Sequence, residues 1–356
     1  MNPAQRLHAL GQSLWLDNIT RTMVADGTLA RYIDTIAVTG LTSNPTIFEQ
    51  AIAKGTAYDA AIREKAAAGL ADEALFFDLA IEDLSAAAQL FVPEFERSKG
   101  VDGWVSLEVS PLLADDTAGT VKAAIELHAK AGQPNLYIKI PGTPAGLQAI
   151  EDAIAAGVPV NVTLLFSADQ YAAAADAWLR GVERRLAAGL DGKVSSVASV
   201  FVSRWDGAVK DALPAALQNQ LGLAMMGRCH RAYRELLRTP RWQAVMAAGV
   251  APQRLLFAST STKDPSLPEC YYVDALAAPH TVNTIPEKTL LAYGERGNPG
   301  AVMANDGGNA EAVLAAIAAA GVDIDALALK LQRDGAASFV NSWRELIACI
   351  AAKAQP

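Results

Sequence analysis

Residues 135–143, NLYIKIPGT, predict a short parallel strand in which aliphatic side chains alternate with other residues and a proline-glycine pair ends the run. The aliphatic residues are Leu136, Ile138 and Ile140. Side chains alternate along a strand, so Lys139 points to the opposite face. Lysine is seldom fully buried without a partner, and an edge strand or a buried ion pair would explain it structurally. The role of Lys139 therefore depends on what the other strands place beside it.

The composition limits the kind of protein. The chain has 356 residues, of which 51% are hydrophobic, and a formal net charge of -8. That length suffices for one large α/β domain or two smaller ones. The acidic balance argues against non-specific binding to nucleic acid or to an anionic membrane. The start MNPAQRLHALGQSLWLD lacks the basic and continuous apolar segments of a signal peptide, and no apolar run is long enough to span a bilayer, so we expect a cytoplasmic protein.

The cysteines and histidines offer little to a metal site. Cys229, Cys270 and Cys349 are scattered and form no Cys-x-x-Cys pair, which predicts neither a disulfide framework nor a zinc site. The 4 histidines include no two at helical ligand spacing. We therefore expect any chemistry to come from other side chains, and we expect no metal.

Short β-like runs alternate with long alanine-rich helical stretches, which is typical of repeated βα units with a parallel sheet. The candidate strands are residues 13–18, 36–44, 104–111, 136–143, 159–166, 194–203, 254–260 and 280–286. Helical patterns lie between them, for example over residues 71–98 and 168–187.

Eight candidate strands are the number that closes a barrel. The predicted fold class is therefore α/β, a (β/α)8 TIM barrel. A barrel is preferred over a doubly wound sheet, and a single domain over residues 1–356 is expected, because no composition shift or Ser/Gly-rich linker divides the chain. We also expect an extra N-terminal helix near residues 3–11 and a long C-terminal helical region over residues 323–353.

Alternation along each candidate strand predicts which side chains face inward, and near the C-terminal strand ends these inward side chains are polar. The inward set is Asp17, Asn44, Glu108, Lys139, Thr163 and Ser199. A purely structural barrel would fill these layers with Val, Ile and Leu. Burying carboxylates, an ammonium and neutral polar groups together costs desolvation that only mutual hydrogen bonding can offset. Because barrel active sites form at this end, the cluster indicates a functional site.

The residue types in this cluster suggest Schiff-base chemistry. An amine in a confined, partly dry site is less stable in its charged form, and a neutral lysine amine attacks a carbonyl to form an imine. The protonated imine is an electron sink, so a carbon-carbon bond beside it can break or form without a metal or organic cofactor. Asp17 or Glu108 would move the hydroxyl proton. The alternative, a glycosidase built on the same carboxylates, leaves Lys139 unexplained and would need more aromatic sugar platforms.

Several motifs, in order along the chain, resemble those of transaldolase. They are LWLDNITR (14–21), TGLTSNPTIF (39–48), VSLEVSP (105–111), YIKIPGT (137–143), NVTLLFS (161–167), VNTIPEKTL (282–290) and QRDGAASFVNSW (332–343). The resemblance covers essentially the whole chain. It implies transfer of a dihydroxyacetone unit from sedoheptulose 7-phosphate or fructose 6-phosphate to glyceraldehyde 3-phosphate or erythrose 4-phosphate in the pentose phosphate pathway.

The resemblance also implies catalytic roles. Lys139 matches the Schiff-base lysine, and Asp17 matches the acid/base that handles the C4 hydroxyl proton. Glu108 and Thr163 match the pair that positions the catalytic water. No cofactor is implied, the partners are sugar phosphates, and a monomer or a homodimer is expected.

Substrate-binding roles follow in the same way. Asn44 and Ser199 match the residues that hold the dihydroxyacetone moiety, with Phe201 beside them. Arg204 matches a phosphate-binding arginine after the sixth strand. Lys263 stands where the best-known pattern has a second arginine, and lysine binds phosphate as a point charge without the bidentate fork of arginine.

Two other functions remain to be separated from a transferase. A catalytically silent barrel that binds sugar phosphates as a regulator would form no imine. A fructose-6-phosphate aldolase would release free dihydroxyacetone, and in the related small aldolases a glutamine corresponds to Glu108 and a tyrosine stands near the position of Phe201. The carboxylate and the hydroxyl-free ring favour a transferase.

Overall fold

A parallel eight-stranded barrel forms the centre of the computed structural model, which describes residues 1–355. The strands are β1 (Ser13–Asp17), β2 (Val38–Thr42), β3 (Val105–Glu108), β4 (Leu136–Pro141), β5 (Val160–Leu165), β6 (Ser196–Phe201), β7 (Arg254–Ala258) and β8 (Val282–Ile285). They are ordered β2-β1-β8-β7-β6-β5-β4-β3. A parallel bridge between Gly40 and Trp104 joins the two outer strands and closes the ring. The predicted (β/α)8 barrel and its eight strands are thus confirmed.

Helices surround the barrel and extend the chain at both ends. They are α1 (Pro3–Ala9), α2 (Arg21–Ala25), α3 (Thr28–Ile36), α4 (Pro45–Lys54), α5 (Asp59–Ala67), α6 (Asp72–Arg97), α7 (Thr117–Ala131), α8 (Pro144–Ala156), α9 (Ala168–Ala187), α10 (Ser203–Val209), α11 (Leu221–Leu236), α12 (Pro240–Ala247), α13 (Tyr271–Ala275), α14 (Glu287–Arg296), α15 (Ala310–Ala319) and α16 (Ile324–Lys353). The extra N-terminal helix and the long C-terminal helical region are confirmed as α1 and α16.

The unit β4-α8-β5 shows how individual residues determine where the helix of a βα unit begins and ends. Thr143 lies two residues after β4 and caps α8, since its hydroxyl accepts a hydrogen bond from the Gly146 amide at 3.1 Å. Pro144 at the first helical position needs no amide donor. Gly157, at φ 92°, ends the helix in the left-handed region that glycine adopts most readily. Ile138 and Ile140 on β4 are fully buried.

The strands are shorter than the predicted ranges because neighbouring helices take up their ends. The second strand was expected over residues 36–44. Ile36 instead ends α3, and Ala37 adopts a left-handed conformation at φ 54°. Asn44 lies beyond the strand and caps α4, accepting a hydrogen bond from the Ile47 amide at 3.0 Å. Parity therefore located the inner face correctly while the strand limits were too generous.

Aromatic and charged side chains close the barrel at the N-terminal ends of its strands. The rings of Trp104 and Tyr137 stack with centroids 4.1 Å apart, and Trp15 lies 6.1 Å from Tyr137. The Trp15 indole donates to Asp102 at 2.7 Å, and the Arg254 guanidinium lies over the Trp15 ring at 6.0 Å. These five residues form a floor, which leaves the opposite end of the barrel as the open one.

The long helix α16 lies against the C-terminal ends of β4 and β5. The Gln332 amide donates to the carbonyls of Gly142 and Leu164, each at 3.0 Å. Leu164 has a φ of 57° within a register shift between β5 and β6, a local irregularity of the strand. Gly335 faces this point, and a side chain there would meet Leu164 at 2.9 Å. The helix is thereby fixed at the open end of the barrel.

Within residues 1–355, no single helix has both the length and the apolar character needed to cross a bilayer, although the bent pair of α15 and α16 passes that test together.

The expectation of one domain over residues 1–356 and that of a monomer or homodimer stay predictions.

Candidate active site

A cavity opens at the C-terminal ends of the strands and brings together eight of the nine residues predicted for the site. Its walls are Asp17, Thr42, Asn44, Lys139, Thr163, Ser199, Phe201, Arg204, Ala258, Ser259, Ser261, Lys263, Thr284, Pro286 and Phe339. Glu108, the ninth, lies behind Lys139 rather than on the wall. Apart from Glu108, the predicted inner-face cluster thus shares one cavity with the predicted phosphate-binding cations.

Lys139 stands in the middle of β4 and is almost fully buried, with 5% of its surface exposed. Its Nζ lies 3.0 Å from Glu108 Oε2 and donates to the Ser43 carbonyl oxygen at 3.0 Å. A buried ion pair therefore explains in part why a lysine lies on this inner strand. The same amine also borders the cavity, where a carbonyl compound can reach it.

Asp17 ends β1 beside the lysine. The Thr42 hydroxyl donates to Asp17 Oδ1 at 2.8 Å and lies 2.6 Å from the Thr284 hydroxyl. Asp17 is partly open to the cavity yet deep among protein atoms, and this burial raises its pKa above the usual value of 3.8. The charge of Lys139 and the Thr42 hydrogen bond oppose the rise. A carboxyl group with a raised pKa exchanges protons more readily near neutral pH.

Glu108 and Thr163 lie on either side of β4, on β3 and β5. Burial also raises the pKa of Glu108, against the opposing charge of Lys139. The Glu108 Oε2 contact to Lys139 Nζ, at 3.0 Å, is a buried ion pair. The buried Thr163 hydroxyl has no hydrogen-bond partner within residues 1–355. An unpartnered buried hydroxyl facing a cavity is suited to hold a water or a substrate hydroxyl.

A chain of hydrogen bonds orients the neutral polar groups of the inner face. Ser199 donates to Asn161 Oδ1 at 2.7 Å, and Asn161 donates to Ser106 at 3.1 Å. All three are buried. Asn44 uses its side-chain oxygen to cap α4. The hydrogen-bond chain orients Ser199, and the helix cap orients Asn44, on the cavity wall.

Two cations without a carboxylate partner among the described residues lie toward the mouth of the cavity. Arg204, in the first turn of α10, packs over the Phe201 ring with 5.3 Å between guanidinium carbon and ring centroid. Burial lowers the pKa of the Arg204 guanidinium. Lys263 is exposed, and its Nζ donates to the Ser261 hydroxyl at 3.2 Å. Two unpaired cations in one cavity are suited to a phosphate group.

Known proteins resemble this chain over nearly its whole length. Residues 14–350 match the family Transaldolase/Fructose-6-phosphate aldolase. A protein of Arthrobacter sp. (strain FB24) named Transaldolase is 43% identical, over 97% of this chain and 95% of its own length. One of Thiobacillus denitrificans with the same name is also 43% identical, over 98% of this chain and 100% of its own length.

The chain belongs to the transaldolase/fructose-6-phosphate aldolase family. It is an enzyme of the transferase class.

Several residues of this transaldolase-family cavity were not predicted from the sequence. Thr42 and Thr284 supply the hydroxyl groups beside Asp17, and Ser261 contacts Lys263. Parity on β2 and β8 was the signal that could have found the two threonines. Phe339 is buried on α16 and also forms part of the cavity wall.

No group of three or more His, Cys, Asp and Glu residues that could hold a metal ion occurs within residues 1–355.

Proposed function

We propose that this enzyme is a transaldolase that transfers a dihydroxyacetone unit between sugar phosphates through a Schiff base on Lys139. The donor is sedoheptulose 7-phosphate or fructose 6-phosphate, and the acceptor is glyceraldehyde 3-phosphate or erythrose 4-phosphate. The observation that carries the proposal is a buried lysine amine on a cavity that also holds Asp17 and two unpaired cations, Arg204 and Lys263. The relatives named Transaldolase support a transaldolase reaction.

Imine formation begins with the pair of Lys139 and Glu108. Transfer of a proton from Nζ to the carboxylate, across the 3.0 Å contact, leaves a neutral amine that attacks the C2 carbonyl of the ketose. The raised pKa of Glu108 suits it to hold that proton. Returning the proton to the carbinolamine hydroxyl releases water and leaves the protonated imine. In this proposal the Thr163 hydroxyl, which has no hydrogen-bond partner within residues 1–355, holds the departing water.

Carbon-carbon cleavage then needs a base at the C4 hydroxyl. The Asp17 carboxylate takes that proton, the C3–C4 bond breaks, and its electron pair moves into the imine to give an enamine. An aldose phosphate leaves, and the dihydroxyacetone unit stays bound to Lys139. Attack of the enamine C3 on the acceptor aldehyde, with the Asp17 proton returned to the new hydroxyl, reverses the step. The imine is its own electron sink, so the reaction requires no metal or organic cofactor.

The substrate is held at both ends in this proposal. Asn44 and Ser199 hold the hydroxyl groups of the dihydroxyacetone unit, and Phe201 covers it. Arg204 and Lys263 bind the phosphate. The reaction belongs to the pentose phosphate pathway, and the two cations explain why phosphorylated sugars would be preferred over free sugars.

Retention of the enamine distinguishes this transferase from an aldolase. An aldolase must protonate the enamine carbon and hydrolyse the imine. Phe201 lies on the cavity wall without a hydroxyl group, so no phenol at that position can donate the proton. The enamine therefore waits for an acceptor aldehyde.

Trapping of the imine tests the proposal. Incubation with fructose 6-phosphate and borohydride should add a reduced dihydroxyacetone unit to the peptide that contains Lys139. The Lys139→Met variant should take up no label and should lose turnover while remaining folded by circular dichroism. A label on another lysine, or full activity without any label, would overturn the mechanism, and a silent sugar-phosphate binder would show binding with no label.

A further inference from the structure

The two cations of the proposed phosphate site belong to different connections of the barrel. Arg204 lies in α10, directly after β6, whereas Lys263 lies in the loop that follows β7. The connections meet at their bases, where the Ser203 amide donates to the Ser259 carbonyl at 3.1 Å and the two hydroxyl groups lie 3.0 Å apart. Lys263 lies beyond this meeting point and is exposed, so it needs a second anchor to keep a fixed distance from Arg204.

Asp264, the next residue, supplies contacts of that kind in two directions. Its Oδ1 accepts hydrogen bonds from the Ser266 amide at 3.0 Å and the Ser266 hydroxyl at 2.7 Å, which fixes the turn of its own loop. Its Oδ2 accepts one from Asn219 at 3.2 Å and lies 3.4 Å from Lys210 Nζ. The Ser266 hydrogen bonds hold the pKa of Asp264 well below its usual range.

The second pair of contacts leads back to the first cation. Lys210 directly follows α10, the helix that carries Arg204, and Asn219 lies between α10 and α11. The Tyr271 hydroxyl donates to the Asn219 carbonyl at 2.9 Å, which ties the far end of the Lys263 loop to the same segment. Asp264 therefore connects the loop of the second cation to the segment of the first.

We propose that Asp264 is a positioning residue that sets Lys263 relative to Arg204 and thereby sets the affinity for the phosphate of the substrate. The inference rests on the proposed function, in which these two cations bind that phosphate. Asp264 does not line the cavity and touches no substrate. It acts through Lys263.

The sign of the expected effect separates positioning from simple electrostatics. Asp264 is a negative charge beside a site for an anion, so removing it would strengthen phosphate binding if charge alone mattered. Positioning predicts the opposite result. Loss of the anchor lets Lys263 sample conformations away from the phosphate, and the affinity falls.

The test compares Asp264→Ala with wild type on fructose 6-phosphate and on unphosphorylated fructose, each with erythrose 4-phosphate as acceptor. We expect KM for fructose 6-phosphate to rise about ten-fold, the size of effect that the loss of one charged contact gives, with kcat nearly unchanged. KM for fructose should stay within about two-fold. Asp264→Asn keeps one acceptor oxygen for the Ser266 turn but loses the ion pair to Lys210, so its KM for fructose 6-phosphate should lie between those of wild type and Asp264→Ala. On a Lys263→Ala background, Asp264→Ala should add little, because both changes remove the same contact.

Asp211→Ala is the matched control. Asp211 is an exposed carboxylate next to Lys210, so this substitution removes the same charge from the same neighbourhood. It should leave KM for fructose 6-phosphate unchanged or lower it. An unchanged or lowered KM in Asp264→Ala, an equal rise for both sugars, or full additivity with Lys263→Ala would overturn the inference. Borohydride labelling of wild type distinguishes failure of the proposed function from failure of the Asp264 inference. If Lys139 takes up no label, the proposed function itself fails. If Lys139 is labelled normally and any of those results is found, only the role of Asp264 is refuted.

Discussion

Replacing Lys139 by methionine should destabilise the protein in a pH-dependent way, because it leaves Glu108 buried without its cation. The two side chains are only 6% and 5% exposed, so solvent compensates neither charge well. In the Lys139→Met variant, Glu108 avoids an unpaired charge by taking up a proton when the protein folds.

The size of this effect follows from the usual pKa of the carboxyl, 4.5. Holding such a group protonated at pH 7 spans about 2.5 pH units and costs up to about 3.4 kcal/mol, at about 1.36 kcal/mol per unit. A raised pKa in the folded state means that the folded protein binds more protons than the unfolded chain. The penalty is therefore absent below the unfolded pKa and grows as the pH rises above it.

Urea unfolding of wild type and Lys139→Met at pH 5 and pH 7 measures the effect. The stability difference should be largest at pH 7 and smaller at pH 5. The double variant Glu108→Gln/Lys139→Met removes the ionisable group and should lose most of the pH dependence, and any slope that remains belongs to Asp17, which loses the same cation. Equal stability of Lys139→Met and wild type at pH 7, or a loss of the same size at both pH values, would refute the reasoning.

Four further outcomes are expected. Turnover should fall as the pH drops through the pKa of Asp17, which burial raises above 3.8. Thr42→Val removes a hydrogen bond that lowers this pKa, so it should move the acid limb of the kcat profile to higher pH. Thr42→Ser keeps the hydroxyl and should leave the acid limb where it is. Arg204→Ala should raise KM for fructose 6-phosphate by about ten-fold or more while hardly changing KM for fructose, and Lys263→Arg should be tolerated, as steady-state kinetics would show. Glyceraldehyde 3-phosphate should form rapidly from fructose 6-phosphate only with erythrose 4-phosphate present; steady release of dihydroxyacetone without acceptor would favour an aldolase, and Phe201→Tyr should increase that release. Activity should survive exhaustive dialysis against EDTA, and a loss restored by one divalent ion would contradict the imine as the electron sink.

Alternation along single strands was enough to predict the inner face of the barrel. Lys139 was placed opposite the aliphatic face of its strand, and its position in β4 agrees. Parity predicts direction because a strand has a period of two residues. It does not predict partners, so the ion pair to Glu108 and the hydrogen bond to the Ser43 carbonyl required the assembled barrel.

Local sequence patterns could not predict contacts between residues that lie far apart in the chain. Trp15, Asp102 and Arg254 come from three separate segments, and nothing near any of them in the sequence indicates the others. Phe339 shows the same limit, since helical periodicity marks a buried position but does not distinguish the core from a cavity wall. The left-handed residue Leu164 breaks the alternation of β5 just after Thr163, and no glycine or proline announces it.

The aromatic rings of the floor, Trp15, Trp104 and Tyr137, have a kinetic consequence for the proposed two-substrate reaction. Because aromatic rings fill the N-terminal end of the barrel, Lys139 is reached only from the C-terminal end. In the proposed mechanism, a departing aldose phosphate and an arriving one use the same opening and the same two cations, Arg204 and Lys263, so they cannot occupy the enzyme together. The chain should therefore follow substituted-enzyme kinetics, with parallel lines in double-reciprocal plots, and each product should compete with the substrate that replaces it.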